Sequence, residues 1–201
     1  FSQDPVISLH AFNEKTLIMG SNQGVLLSYN ANSLKTLSSE GTKPLEGIYG
    51  SPPSEYVIYD DGLIKTFNKN TGEFRTIFSA SLKDVAFISS TDYYVGTNIG
   101  VCKVSYQPNG KFQLHFSKHI KFRVYSVAFN QWDKKLYTST ANGLFVLDSN
   151  DKRQKIQYQN KDVFSEKLAY SKGLVYAITQ DDGILVIDTN LKIKTIKPAV
   201  N

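Results

Sequence analysis

Cysteine is almost absent from this chain of 201 residues, because Cys102 is the only one. A single thiol excludes an intramolecular disulfide and a metal centre built from several cysteines. Histidine is also scarce, and we expect none of His10, His115 and His119 to be a metal ligand. The sequence therefore predicts no metal and no other cofactor.

Long apolar runs and clusters of one charge are also missing. No apolar run approaches the roughly 18 residues of a membrane helix. The 23 basic residues outnumber the 18 acidic ones and are scattered along the chain. Because nucleic-acid binding requires a concentrated basic stripe or a recognisable module, we expect no nucleic-acid partner. The chain begins with Phe1, and we expect a processed form or part of a larger protein.

Aromatic residues are plentiful, with twelve Tyr and twelve Phe, and they suit half-buried strands. One glycine recurs between two short apolar runs at intervals of 38, 38, 43 and 40 residues. Asp61-Gly62, Asn142-Gly143 and Asp182-Gly183 are residue pairs typical of tight hairpin turns. We predict a β-hairpin around each recurring glycine: Gly24, Gly62, Gly100, Gly143 and Gly183.

A third apolar run precedes each hairpin and a fourth follows it, the latter predicted at residues 34–37, 74–77, 112–116, 155–158 and 193–196. Ala86, Ala128 and Ala169 share one position in the third run, where small residues suit an innermost strand. Four strands in each period of about 40 residues are typical of propeller blades. We predict an all-β fold, a β-propeller or part of one, with about five four-stranded blades. A sandwich or barrel with similar hairpins is the alternative.

The predicted repeats form one domain and cover approximately residues 1–42, 43–80, 81–118, 119–160 and 161–201. They resemble the two-component-regulator propeller family, in the runs Ile18-Met-Gly-Ser-Asn-Gln-Gly24 and Tyr94-Val-Gly-Thr-Asn-Ile-Gly100 and in residues 124–144. The tryptophan usual in the second strand is replaced, for example by Leu136 and Tyr176. The resemblance implies an extracytoplasmic sensor region of a membrane-bound hybrid histidine kinase that responds to oligosaccharides.

Catalytic motifs are missing: the chain has no phosphate-binding loop, nucleophile elbow or His-Glu metal motif. Asp60-Asp61 and Asp181-Asp182 invite comparison with a catalytic carboxylate pair. Asp before Gly is, however, the residue that hairpin turns require. Cys102 lies between apolar neighbours, which predicts a packed thiol. We therefore predict that this domain is not an enzyme.

If the fold is a propeller, ligands should meet the face that carries the glycine turns and the loops before the inner strands. These loops cover residues 39–46, 79–84, 117–123 and 159–164. Trp132 lies in a turn on the opposite face, where it is a candidate for a subunit contact or for packing on its own blade. The candidate ligand-binding residues are Lys43, Glu46, Asp84, Lys118, His119, Lys121 and Arg123.

The leading hypothesis is a periplasmic or otherwise extracytoplasmic sensing module that binds an oligosaccharide or another small ligand. The basic loop at residues 118–123 would suit an acidic sugar. Membrane attachment would come only through other segments of a parent protein, and a homodimer is an open alternative. The rival hypotheses are a scaffold propeller that binds another protein and a polysaccharide-acting propeller enzyme.

Overall fold

The computed structural model of the protein describes residues 3–39, 41–51, 55–68 and 70–196. All regular structure in these residues is β: five antiparallel sheets of four strands and one of two. None of these residues forms a helix long and apolar enough to cross a membrane. The chain forms two compact units, Phe1–Leu82 and Lys83–Asn201.

The first unit contains two four-stranded sheets, each made of consecutive strands. The first sheet has β1 (Val6–Asn13), β2 (Thr16–Ser21), β3 (Leu26–Asn30) and β4 (Ser33–Ser38). The second has β5 (Leu45–Ser51), β6 (Glu55–Asp60), β7 (Leu63–Asn68) and β8 (Glu73–Ser79). Ile18 and Leu26 of the first sheet pack with Leu45, Ile48 and Ile58 of the second in one buried cluster.

The second unit contains three four-stranded sheets and a two-stranded ribbon. One sheet has β9 (Leu82–Phe87), β10 (Asp92–Thr97), β11 (Gly100–Tyr106) and β12 (Phe112–Phe116). The central sheet has β13 (Val124–Asn130), β14 (Lys135–Thr140), β15 (Gly143–Leu147) and β16 (Arg153–Lys155), and the ribbon has β17 (Gln157–Tyr158) and β18 (Lys161–Asp162). The C-terminal sheet has β19 (Lys167–Ser171), β20 (Leu174–Ile178), β21 (Ile184–Ile187) and β22 (Ile193–Ile196).

The central sheet is buried on both faces because its strands are apolar at successive positions. Val127 and Phe129 of β13 pack in a cluster with Ala86 and Val101 of the preceding sheet. Ala128, whose side chain points to the opposite face, packs in a second cluster with residues of the C-terminal sheet such as Leu168. Alternation along one strand thus supplies two separate cores.

The five recurring glycines all lie in hairpin turns and all have positive φ, from 73° to 139°. The requirement for glycine is clearest at Gly100, where an added Cβ atom would lie 2.2 Å from the carbonyl oxygen of Ile120. A side chain at this position would be excluded by both the φ of 139° and the close approach of backbone. The predicted hairpins are confirmed.

The outer strand of the central sheet differs from the predicted span of residues 155–158. The strand is β16, which ends at Lys155, and the chain then leaves the sheet. Ile156 is 3% exposed in the core that joins the central and C-terminal sheets, and its N–H donates to the carbonyl of Leu144 at 2.9 Å. Gln159 and Asn160, both with positive φ, turn the chain within the β17–β18 ribbon. The predicted strand at residues 155–158 therefore combines the last residue of β16 with the two residues of β17.

Candidate functional site

A cavity of about 610 Å³ lies in the second unit and is here called the loop-face cavity. Its walls come from the β14–β15 turn, from residues 162–166 before β19 and from residues 179–182 in the β20–β21 turn. Lys83 of β9 and Tyr125 of β13 complete the lining. The cavity therefore lies on the face of glycine turns and connecting loops where the sequence predicted ligand binding.

Two glycine turns at the cavity are held by a threonine in the same way. The Thr140 hydroxyl donates to the carbonyl of Gly143 at 2.7 Å and accepts the N–H of Asn142 at 3.1 Å. The Thr179 hydroxyl donates to the carbonyl of Gly183 at 2.9 Å and accepts the N–H of Asp182 at 3.1 Å. Each turn thus satisfies its own backbone groups and presents its tip in a fixed conformation.

Two aromatic side chains at the cavity remain accessible. Phe164 is 57% exposed and Tyr125 is 39% exposed, although large apolar groups are usually buried. The guanidinium of Arg123 lies 5.5 Å from the centre of the Tyr125 ring, at cation–π distance. The two rings offer apolar faces to a ligand in the cavity.

The cavity is acidic although the whole chain has a net charge of +5, because its walls carry four carboxylates and one lysine. The Asp162 carboxylate accepts hydrogen bonds from the ammonium of Lys155 and, at 3.0 Å, from the amide of Gln157. These bonds lower the pKa of Asp162. Glu166 accepts a hydrogen bond from the side-chain amide of Gln180 at 2.6 Å, and both side chains line the cavity.

The geometry of the loop-face cavity suits binding. Carboxylates, an amide and hydroxyl groups can hydrogen-bond a polyhydroxylated ligand, and the exposed rings can stack on its apolar faces. Within the described ranges, no three His, Cys, Asp or Glu residues lie close enough together to hold a metal ion. No histidine lines this cavity.

A second cavity of about 440 Å³, here called the His119 cleft, is lined by residues of β10–β12 and by residues 115–119 and 147–151. It contains Lys118 and His119, two of the predicted ligand-binding residues. Asp151 holds this segment by accepting the Ser117 hydroxyl and the N–H of Lys118, both at 2.7 Å. The structure thus places Lys118 and His119 together, in a cleft separate in its lining from the loop-face cavity.

The remaining predicted ligand-binding residues line neither the loop-face cavity nor the His119 cleft. In the first unit, Lys43 forms an exposed ion pair with Asp61 at 3.0 Å, and Glu46 is exposed on β5. In the second unit Lys121 is exposed, and Arg123, also exposed, contacts Tyr125. Arg123 thus contacts a residue of the loop-face cavity.

Asp84 joins the inner strands of the second unit and is only 5% exposed. Its carboxylate accepts the Ser126 hydroxyl and the N–H of Val127 on β13, the latter at 3.1 Å. It also pairs with the ammonium of Lys167 on β19 at 2.9 Å. The Ser126 hydroxyl in turn accepts the N–H of Leu168 at 3.0 Å. These residues, here called the inner-strand clasp, connect β9, β13 and β19 through Asp84.

Trp132 is 71% exposed in the β13–β14 turn. Its indole packs on Gly173 in the β19–β20 turn, where an added Cβ would approach the ring to 2.6 Å. Asn130 strengthens this contact by donating its side-chain amide to the carbonyl of Gly173 at 3.0 Å. Trp132 therefore packs over a neighbouring sheet with one side of its ring and leaves most of its surface accessible.

Sequence reasoning did not single out Tyr125, Glu166, Thr179 or Gln180 as site residues. Thr140 and Thr179 could have been recognised from the sequence, because a threonine stands shortly before the turn glycine in three of the repeats. The third is Thr97, whose hydroxyl donates to the Gly100 carbonyl at 2.9 Å. The other residues had no linear signal, because they converge from separate segments.

No protein-family model and no curated protein sequence matches the chain. Solved structures do. Two structures of the extracellular domain of BT4673 from B. thetaiotaomicron, described as a putative hybrid two-component system and a putative one-component system, are each 18% identical in sequence, with TM-scores of 0.70 and 0.71. PorZ, an essential surface component of the type-IX secretion system of Porphyromonas gingivalis, is 13% identical with a TM-score of 0.73.

Each of these matches covers 96% of this chain and 28% of the other protein's chain. The chain thus spans less than a third of the length of the structures that it matches. At these identities the similarity concerns the fold. The chain therefore shares the fold of the extracellular domain of a putative two-component system, the class of protein that its repeats resemble.

Proposed function

We propose that this chain is a non-catalytic ligand-sensing module in the extracytoplasmic part of a membrane-bound two-component receptor. The loop-face cavity carries the proposal, because it combines a volume of about 610 Å³ with two exposed aromatic rings and converging hydrogen-bonding groups. A concave site of this size and composition is typical of small-molecule recognition. The proposed ligand is an oligosaccharide.

The proposal includes the arrangement of the sheets as blades of a β-propeller. Two observations support it: each four-stranded sheet consists of consecutive antiparallel strands, and the fold is shared with extracellular domains of signalling proteins. Those domains also support an extracytoplasmic location and a sensing role for this chain. In such a module, binding changes the arrangement of protein parts and leaves the ligand intact.

The charge of the cavity narrows the ligand class. Four carboxylates repel an acidic sugar, whereas a neutral or amino-bearing sugar meets no such repulsion. The basic loop at residues 118–123 led to the opposite expectation, but its Lys118 and His119 lie at the His119 cleft. We therefore propose a neutral or amino-bearing oligosaccharide as the ligand of the loop-face cavity.

A thermal-shift screen of the purified chain against neutral, amino-bearing and acidic oligosaccharides tests this function. A ligand that binds only the folded state raises the melting temperature. We expect a shift with neutral or amino-bearing sugars and recovery of the sugar uncleaved by mass spectrometry. Replacing Phe164 with alanine should then weaken binding about tenfold, which corresponds to about 1.4 kcal/mol of lost stacking and contact area.

Phe116→Ala is the matched control, because Phe116 is 53% exposed but lines the His119 cleft. It should leave sugar binding unchanged. Equal losses in both variants would assign binding to neither cavity in particular, which contradicts the proposal. A cleaved sugar would replace the sensing function with an enzymatic one. No shift with any sugar would contradict oligosaccharide binding by this chain.

A further inference from the structure

The His119 cleft lies between two neighbouring sheets of the second unit. One wall is a row across the β9–β12 sheet, in which Tyr94 pairs with Lys103 and Lys103 pairs with His115. Directly paired residues of an antiparallel sheet point to the same face, so these three side chains lie side by side. The other wall is the β15–β16 turn of the central sheet. The cleft is therefore built from two sheets of one compact unit.

The segment that follows β12 closes the cleft and is held in place by the central sheet. Asp151 accepts hydrogen bonds from the Ser117 hydroxyl and from the N–H of Lys118. Arg153 donates from its guanidinium to the carbonyl of His119 at 3.0 Å. These bonds fix the backbone and leave the side chains of Lys118 and His119 exposed. The segment is thus ordered before a ligand binds, which lowers the entropic cost of binding.

The two lysines of the cleft form no ion pair with any residue that the structure describes. Lys103 is half-buried, and Asp92 attracts it only at longer range. By contrast, Lys65, which is also half-buried, forms an ion pair with Asp60 at 2.6 Å. Lys118 is exposed at the mouth of the cleft. Because a partly desolvated ammonium is stabilised by a charged partner, the cleft favours a ligand that carries an anionic group.

The two carboxylates of the cleft are already engaged by hydrogen bonds from the chain itself. Asp151 accepts the Ser117 hydroxyl at one oxygen and the N–H of Lys118 at the other, both at 2.7 Å. Asp148 accepts two backbone N–H groups of its own turn at Oδ1, both at 2.9 Å. Three of the four carboxylate oxygens are thus bonded, and the cationic side chains are the groups most available to a ligand.

Neutral hydrogen-bonding groups lie beside these cations. Burial, and then the charge of Asp151, raise the pKa of Tyr94, so its phenol keeps its proton and can donate. The Tyr94 ring lies 5.9 Å from the ring of Phe129, which holds its orientation. Ser149 and Asn150 line the same cleft and are exposed. Their hydroxyl and amide groups can both donate and accept hydrogen bonds, which suits the hydroxyls of a sugar ring.

We propose that the His119 cleft is a second binding site, which takes a uronic acid residue of an acidic oligosaccharide. Lys103 and Lys118 bind its carboxylate, and His119 and the neutral groups hydrogen-bond it and its hydroxyls. The volume of about 440 Å³ is within the range of small-ligand sites. Since the cleft and the loop-face cavity share no lining residue, one chain can bind an acidic sugar in the first and a neutral sugar in the second.

Isothermal titration calorimetry of the full chain with trisaccharides of galacturonate, glucuronate and mannuronate, each beside its methyl ester, tests this site. We expect at least one acid to bind, and its ester, which keeps the ring but loses the charge, to bind at least about tenfold more weakly. Lys103→Met, which keeps the apolar stem, and Lys118→Met should each weaken binding of the acid by about tenfold. Circular dichroism checks that both variants are folded. Lys111→Met is the control, because Lys111 is exposed on the same sheet's β11–β12 turn and does not line the cleft.

The two cavities are separated by exchanging variants and ligands. Phe164→Ala should leave binding of the acid unchanged, and Lys103→Met should leave binding of a neutral sugar unchanged, so each site can fail without the other. Loss of the acid in Phe164→Ala would place it in the loop-face cavity and overturn the proposal. So would the absence of binding by all three acids, an ester that binds as tightly as its acid, or equal losses in Lys103→Met and Lys111→Met. Triglutamate that binds as tightly as the acidic sugars would overturn the assignment to a sugar.

Discussion

The inner-strand clasp and the loop-face cavity both use carboxylates, but they use them in opposite ways. Asp84 is 5% exposed and contacts two other strands through Ser126, Val127 and Lys167. Asp181 at the cavity is exposed and carries its charge to the surface. A buried carboxylate with several partners stabilises a fold, whereas an exposed carboxylate in a cavity is available to a ligand. Accessibility and partners, rather than residue type, separate structural from functional charges.

The largest expected effect is on stability, from Asp84→Ala. The substitution leaves Lys167 without its partner and removes the acceptor for Ser126 and Val127. We expect a loss of about 3 kcal/mol in the free energy of unfolding. For a chain of this size that loss corresponds to a melting temperature lower by about 6–12 °C. Guanidinium denaturation measures the free energy directly.

Asp181→Asn is the control for that measurement, because it removes a carboxylate charge of the same type from an exposed position. Its effect on the free energy of unfolding should stay below about 0.5 kcal/mol. Comparable losses from the two substitutions would show that the distinction between clasp and cavity does not hold.

A smaller effect is expected at Thr140, which belongs to both the buried core and the cavity wall. Thr140 is fully buried, and its hydroxyl makes the two turn hydrogen bonds to Gly143 and Asn142. Thr140→Val keeps the shape and removes both bonds, which should cost about 1–2 kcal/mol of unfolding free energy. Thr140→Ser should retain the bonds and recover most of the loss. An unchanged valine variant would mean that the turn does not depend on this hydroxyl.

The smallest expected effect depends on pH and concerns His10 in the first unit. Burial lowers the pKa of His10 from its ordinary 6.5, and its Nε2 atom accepts the N–H of Gly50 at 3.0 Å. The folded state therefore binds this proton less readily than the unfolded state. Stability from His10 is fully present above pH 6.5 and declines as the pH falls from 6.5 to the folded pKa.

Urea denaturation at pH 7.5 and at lower pH checks this direction. The decline should be smaller in His10→Gln, whose side chain does not titrate and can still accept a hydrogen bond. The same decline in both proteins would assign the pH dependence to other groups.

Much of the fold could be predicted from the sequence because the repeat is local. Each hairpin depends on a glycine with positive φ and on alternating apolar residues, and both are visible in a short segment. The end of β16 was misplaced, because only the three-dimensional core shows that Ile156 turns inward. Hairpin turns can be predicted from a short segment of sequence, while the residue at which a strand ends depends on packing against residues distant in the sequence.

The candidate site was less predictable, for the same physical reason. The loops between consecutive sheets could be predicted, since they follow from strand order, but the cavity depends on which loops converge. Asp84 is predicted to bind ligand on its charge and position; the structure shows its contacts with β13 and β19, and its role in binding stays a prediction. Lys118 and His119 share the His119 cleft, and their role in binding stays a prediction.

The β13–β14 turn has a mechanical consequence. Gln131 donates to the carbonyls of Phe87 and Ile88 on one side, at 3.2 and 3.1 Å, while Asn130 donates to Gly173 on the other. The central sheet is thus tied to both neighbours by this turn and again by the inner-strand clasp. Tilting one sheet alone would break hydrogen bonds at two separate levels. We expect these three sheets to move as one rigid body, so that a displacement of any of them moves all three.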